Sequence, residues 1–148
     1  MRLTSKKSFT LVEVLIATVI VAIALCGILA SYVGCFELLS TTKNVNIAIN
    51  AIEGLLEDIR NTTFTQIYDT YADLNFTVNN MPANRGVVFI DDTDPEMLKV
   101  TISVCWRQKT RTFGEDINLN GVIDGTETAS VPGVISSPAQ LVALVVNR

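Results

Sequence analysis

Apolar side chains dominate the first part of the chain, and their spacing changes along it. From Val14 to Phe36 there is no charged residue, and nearly every side chain is apolar. At about 1.5 Å per residue, a helix of this length crosses the roughly 30 Å hydrocarbon core of a bilayer. After Phe36, apolar residues recur at three- and four-residue steps, namely Leu38, Leu39, Val45, Ile49, Ile52, Leu55, Leu56 and Ile59. The pattern predicts one long helix, with residues 9–36 in the membrane and residues 37–62 amphipathic.

Residues 63–148 have the short apolar runs and turn residues of a β-rich head. The clearest run, Leu98 to Trp106, alternates apolar and polar residues, as a half-buried strand does. Further strands are expected at Leu74–Val78, Gly86–Ile90 and Leu141–Val146, with a hairpin loop at Asp91–Pro95. The sequence therefore predicts an α+β fold in which a long N-terminal helix packs against a small antiparallel sheet.

The charges set the expected topology and narrow the function. Arg2, Lys6 and Lys7 lie in a basic leader, residues 1–8, so the positive-inside rule places the N-terminus in the cytoplasm and the head beyond the membrane. The whole chain has 11 Lys and Arg against 15 Asp and Glu, and the part after the leader is strongly acidic, which argues against nucleic acid as a partner. With no histidine and no recognisable pair of nucleophile and base, we expect no enzyme activity.

The three cysteines leave one question open. Cys26 lies inside the apolar run, where it is expected to act as a small hydrophobic side chain. Cys35 and Cys105 would both face an oxidising compartment and could pair, and the sequence does not decide whether they form a disulfide.

A candidate calcium loop occupies residues 116–127. Oxygen-bearing side chains stand at loop positions one, three, five, nine and twelve, with Gly121 at position six, where such a loop must turn sharply. The expected ligands are one side-chain oxygen each from Asp116, Asn118 and Asn120, the main-chain carbonyl of Val122, Asp124 directly or through water, and both carboxylate oxygens of Glu127.

The alternative for this segment is an ordinary surface turn, because Asp, Asn and Gly are common in any loop. If calcium does bind, we expect a structural clip that ties the long polar connection from Thr112 to Ala139 to the head. Ile123 would hold the loop to the core. A regulatory opening is not expected, because no pair of helices flanks the loop.

The N-terminal residues Lys6-Lys7-Ser8-Phe9-Thr10-Leu11-Val12-Glu13 place a basic leader directly before the apolar run, with a carboxylate five residues in. This segment resembles the type IV pilins and the pseudopilins of type II secretion. The strand around Val100–Trp106 is similar to that of minor pilins of the V type. An ordinary secretory signal peptide fits less well, because the apolar run is long and contains Glu13 near its start.

The resemblance implies that a prepilin peptidase cuts between Ser8 and Phe9 and methylates the new amine of Phe9. Most members have glycine before the cut, and this chain has Ser8, so cleavage is in question. The resemblance also implies that Glu13 pairs with the N-terminal amine of a neighbouring subunit, since an ionised carboxylate in lipid needs a partner. The alternative is that Glu13 stays hydrated near the interface.

The expected function is that of a minor structural subunit of a pilus or pseudopilus, stabilised by calcium. Its partners would be other pilin or pseudopilin subunits, the prepilin peptidase and the bacterial inner membrane. Two alternatives remain open at this point: a type II secretion pseudopilin, and a membrane-anchored calcium-binding module that never polymerises.

Overall fold

A computed structural model describes residues 10–125, 127 and 133–147, which divide into two compact units. The first unit runs from Met1 to Ser40 and the second from Thr41 to Arg148. Helix α1 (Leu11–Asn61) contributes to both units. Ser8 and Phe9 lie outside the described residues.

The described part of the first unit is an exposed apolar helix. Every residue from Thr10 to Ser40 is exposed, and Leu11 reaches 81%. One 18-residue window of α1 has a mean hydropathy of 2.8 and no buried residue, and among the described residues α1 is the one helix that could span a membrane. Because so much apolar surface is unfavourable in water, this segment requires lipid or other protein around it.

The second unit contains a five-stranded antiparallel sheet. Its strands are β1 (Asn75–Phe76), β2 (Asn84–Asp94), β3 (Met97–Gln108), β4 (Arg111–Phe113) and β5 (Ala139–Val146). Strands β1, β2 and β3 are adjacent in that order, and the other side of β3 pairs with β5 along residues 97–104 and with β4 along residues 106–108. The long apolar helix and the small antiparallel sheet confirm the predicted α+β fold.

The core of the second unit lies between the last part of α1 and one face of the sheet, here called the inner face. Strand β3 supplies every second residue from Leu98 to Trp106, as the alternation predicts. The buried residues of α1 are Asn44, Ala48, Ile52, Leu56 and Ile59, spaced by three or four. Trp106 is fully buried and stacks on Phe113, with ring centroids 5.2 Å apart. Leu38 and Leu39, which were expected on this helix face, are exposed.

Several elements differ from those expected. Helix α2 (Phe64–Tyr71) replaces the β structure predicted after residue 63, because apolar residues at a three-residue step bury Ile67 despite the β-branched composition around it. Strand β1 has two residues instead of five. Strand β2 runs to Asp94, so the hairpin turns at Pro95 and Glu96 instead of across Asp91–Pro95.

The last two strands show further differences. The short strand β4 was not predicted, because three residues are too few to show an alternating pattern. Residues 141–146 of β5 are continuously apolar and predict a strand buried on both faces, yet only alternate residues face the core. Val142, Leu144 and Val146 are more than half exposed.

Candidate functional site

Glu13 lies in the first turn of α1, three residues after Thr10, which the sequence pattern did not single out. The main-chain N–H of Glu13 donates to Thr10 Oγ1 at 3.3 Å, just before the helix begins at Leu11. The Thr-x-x-Glu spacing of a helix N-terminus could have revealed this arrangement. An acidic side chain here also interacts favourably with the positive end of the helix dipole. Glu13 is therefore compatible with its helix even before any partner is considered.

The candidate loop of residues 116–127 is organised around the fully buried carboxylate of Asp116. Its Oδ1 accepts the N–H of Asn120 at 3.1 Å, and its Oδ2 accepts the N–H of Gly121 at 2.7 Å. A buried carboxylate needs such donors, since an unpaired charge is costly away from water. Asp116 therefore fixes the bend at the middle of the loop.

Glu127 closes the other end of the loop. Its Oε1 accepts the N–H groups of Ile117 and Asn118 at 2.7 and 3.1 Å, and its Oε2 accepts the N–H of Asp124 at 2.9 Å. These main-chain donors, the Asp124 N–H first among them, hold the pKa of the Glu127 carboxyl below its usual value of 4.5, against the opposing effect of burial. Glu127, the last residue of the segment, is therefore joined to its second and third residues.

The remaining polar side chains meet at Asp124. The side-chain amides of Asn118 and Asn120 both donate to Asp124 Oδ2, at 2.6 and 3.0 Å. Their carbonyl oxygens turn back on the loop and accept the N–H groups of Asn120 and Val122. Five of the six predicted residues are thus joined in one network through hydrogen bonds of their side chains. The sixth, Val122, enters it through its N–H, and its side chain is 58% exposed.

The backbone takes two left-handed residues to complete the turn. Gly121 has a φ of 86°, and Leu119 has a φ of 60°. A side chain at position 121 would also collide with β1, since a Cβ there would lie 1.8 Å from Asn75 Oδ1. The glycine that the spacing singled out is therefore required twice, by its conformation and by its close neighbour.

The loop belongs to the connection from Gly114 to Pro138, whose described residues cover the face of the sheet opposite the inner face, here called the outer face. Thr101, Ser103 and Cys105 point away from the core but are buried. Ser103 Oγ donates to the carbonyl of Ile135 at 2.6 Å, and Ser137 Oγ donates to the carbonyl of Val104. The two ends of the connection are held together where the Glu115 N–H donates to the Ser136 carbonyl and the Ser136 N–H donates to Glu115 Oε2.

A cavity of about 450 Å³ lies between the loop and the outer face. Gly121, Val122 and Ile123 line it from the loop, and Val87 and Phe89 line it from β2. Ile123 is half-buried here, on the outer face of the sheet instead of in the main core.

The structure records Cys26, Cys35 and Cys105 as free thiols. Cys26 and Cys35 are exposed, whereas Cys105 is buried under the connection. Burial raises the pKa of the Cys105 thiol to about 11. The thiolate that reacts with oxidants is therefore scarce at neutral pH.

The donor chemistry of the loop fits a hard cation such as calcium. Every candidate ligand is an oxygen, and a carboxylate or amide oxygen that accepts one N–H, as Asp116 Oδ1, Asp116 Oδ2 and Glu127 Oε2 do, has a second lone pair for an ion. On Glu127, Oε2 is freer than Oε1, which already accepts two N–H groups. Among the described residues, no three His, Cys, Asp or Glu side chains cluster closely enough to hold a metal. A calcium ion here would therefore depend on the amide and carbonyl oxygens as well.

Comparison with known proteins identifies the N-terminal segment. A family model described as the prokaryotic N-terminal methylation motif matches residues 3–31. No curated protein and no solved structure matches the chain. Proteins with this motif are structural and not enzymatic, and one long apolar N-terminal helix fits a membrane-anchored protein of that type. The chain carries the N-terminal methylation motif characteristic of type IV pilin and pseudopilin precursors.

Proposed function

We propose that this protein is a minor structural subunit of a type IV pilus or pseudopilus. The observation that carries the proposal is the methylation motif at residues 3–31, followed at once by the exposed apolar part of α1. A prepilin peptidase would cut between Ser8 and Phe9 and methylate Phe9. The apolar helix would first hold the precursor in the inner membrane, with its N-terminus in the cytoplasm, and then pack among other subunits.

Glu13 would act during assembly by pairing with the amine of Phe9 on a neighbouring subunit. A carboxylate in lipid costs at least about 2.5 kcal/mol on insertion scales, so an opposite charge is needed. We expect Glu13→Ala to insert into the membrane but not to enter fibres. The matched control is Glu53→Ala, which changes an exposed acid on the same helix beyond the apolar run.

The test is mass spectrometry of surface fibres sheared from cells. We expect this chain with methylated Phe9 at its N-terminus, and its loss from fibres in a strain without prepilin peptidase and in Glu13→Ala. A leader that stays intact in the wild type, with the chain absent from fibres, would favour a membrane-anchored module that does not polymerise. Loss of protein secretion, with surface pili intact, would favour a type II secretion pseudopilin.

We also propose that the loop of residues 116–127 binds calcium and stabilises the head. Asp116, Asn118, Asn120, the Val122 carbonyl, Asp124 and Glu127 would hold the ion. A bound ion would neutralise most of the combined charge of the three carboxylates. Extracellular calcium sites of this kind bind at roughly 10⁻⁴–10⁻³ M.

The calcium proposal is tested by thermal unfolding of the full-length protein in lipid nanodiscs. Trp106 is the one tryptophan of the chain and is buried in the head, so its fluorescence reports head unfolding. Calcium at ten times its Kd should stabilise the head by about 1.4 kcal/mol relative to EDTA. The rise in Tm should vanish in Asp116→Ala and persist in Asp92→Ala, an exposed acid of the β2–β3 hairpin. A wild type with equal Tm in EDTA and in 10 mM calcium would refute this part alone.

A further inference from the structure

We propose that Arg85 and Arg107 are positioning residues for the calcium loop, and this inference rests on the calcium binding proposed above. Each arginine donates a hydrogen bond to the carbonyl of one peptide group in the loop. The N–H of that same peptide group donates to the carboxylate of Asp116 or Glu127. The two arginines would thus orient Asp116 and Glu127 without touching the ion.

Arg107 acts on the peptide between Ile117 and Asn118. Its Nη2 donates to the Ile117 carbonyl at 2.6 Å. The N–H of the same peptide belongs to Asn118 and donates to Glu127 Oε1 at 3.1 Å. Because a peptide group is planar and trans, fixing its carbonyl also fixes the direction of its N–H. Arg107 therefore sets where the N–H that holds Glu127 points.

Arg85 acts in the same way on the peptide between Leu119 and Asn120. Its Nε donates to the Leu119 carbonyl at 3.2 Å. The N–H of Asn120, in the same peptide, donates to Asp116 Oδ1 at 3.1 Å and to Asn118 Oδ1 at 2.9 Å. Leu119 has a φ of 60°, which non-glycine residues disfavour. The arginine bond stabilises this backbone in the form that the ligands need.

The two arginines come from one face of the sheet. Arg85 on β2 pairs with Cys105 on β3, and Arg107 follows Cys105 by two residues, so both side chains leave the outer face, which the loop covers. They reach alternate carbonyls of the loop, at positions two and four. A charged donor on a carbonyl also polarises the peptide and strengthens its N–H as a donor. The sheet, and not the loop alone, would therefore determine how well the ligands are arranged.

The experiment measures calcium Kd by calorimetry, and Tm in EDTA, on the full-length protein in nanodiscs. The variants are Arg85→Gln, Arg107→Gln and Arg107→Lys, with Arg111→Gln as the matched control. Arg111 is an exposed arginine of β4 whose guanidinium lies over the Phe113 ring, 5.2 Å from its centroid. A merely structural role would lower Tm in EDTA and leave Kd unchanged, whereas a positioning role raises Kd whether or not Tm in EDTA also falls.

We expect Kd to rise about tenfold in Arg107→Gln, as for loss of one charged hydrogen bond, and less in Arg85→Gln, whose bond is longer. Arg107→Lys should recover part of the loss, and Arg111→Gln should bind like the wild type. A wild type that binds calcium, with both glutamine variants binding equally tightly, overturns the positioning role alone. A drop in Tm in EDTA without a change in Kd overturns it as well. If calorimetry of the wild type shows no heat of calcium binding, the calcium site and this inference are both overturned.

Discussion

Replacing Gly121 by alanine tests the geometry of the loop directly. The new Cβ would lie 1.8 Å from Asn75 Oδ1 and 2.7 Å from Asn75 Cγ, on a backbone with a φ of 86°. The left-handed conformation costs an L-residue about 1–2 kcal/mol. Pushing Asn75 off its rotamer costs a further 0.5–1.5 kcal/mol or so, and its bond to the Asp73 carbonyl is also lost. We expect a total loss of about 2–3 kcal/mol in the free energy of unfolding.

The assay is thermal unfolding in nanodiscs, followed by Trp106 fluorescence. For a head of this size, 1 kcal/mol shifts Tm by about 4 °C, so Gly121→Ala should lower Tm by roughly 8–12 °C. Gly125→Ala is the matched control in the same loop, because a Cβ there meets nothing within 4 Å. Adding Asn75→Ala to Gly121→Ala should recover the steric part and leave the conformational part. Equal effects of the two glycine substitutions would refute the reasoning.

Three further predictions concern the same head. Leu119→Gly should stabilise the loop by about 0.5–1 kcal/mol, raising Tm by a few degrees, because glycine accepts the φ of 60°; a lower Tm would contradict this. Because the pKa of Glu127 is lowered on folding, its contribution should be complete above pH 4.5 and disappear as pH falls through its folded pKa. The Tm difference between wild type and Glu127→Gln should therefore shrink in acid, and a constant difference would contradict it. Cys105, with a pKa of about 11, should resist maleimide at pH 7 in the folded protein and react after unfolding in guanidinium; equal rates would contradict its burial.

The sequence alone determined the elements whose pattern of apolar and polar residues is long or strictly periodic. An uncharged apolar run and the alternation from Leu98 to Trp106 are local properties of the chain, and they were sufficient for α1 and β3. The spacing of residues 116–127 is also local, and the calcium site stays a prediction. The N-terminal motif at residues 3–31 is equally local. Gly121 could be singled out because a twelve-residue calcium loop turns sharply at its sixth position, whereas its close approach to Asn75 was visible only in the structure.

Only the tertiary structure decided which strands pair and which side chains contact each other. Strands β1 and β4, of two and three residues, form because β2 and β3 offer them hydrogen-bonding partners. Segments this short show no alternation of apolar and polar residues in the sequence. Alternate residues of β5 face the core because successive side chains of a strand point to opposite faces of the sheet, and only one face of β5 is covered. Likewise, nothing in the sequence indicated that Arg85 and Arg107 form hydrogen bonds with residues 116–127. Their carbonyl partners lie 34 and 10 residues away along the chain, and only the folding of the connection over the outer face brings them together.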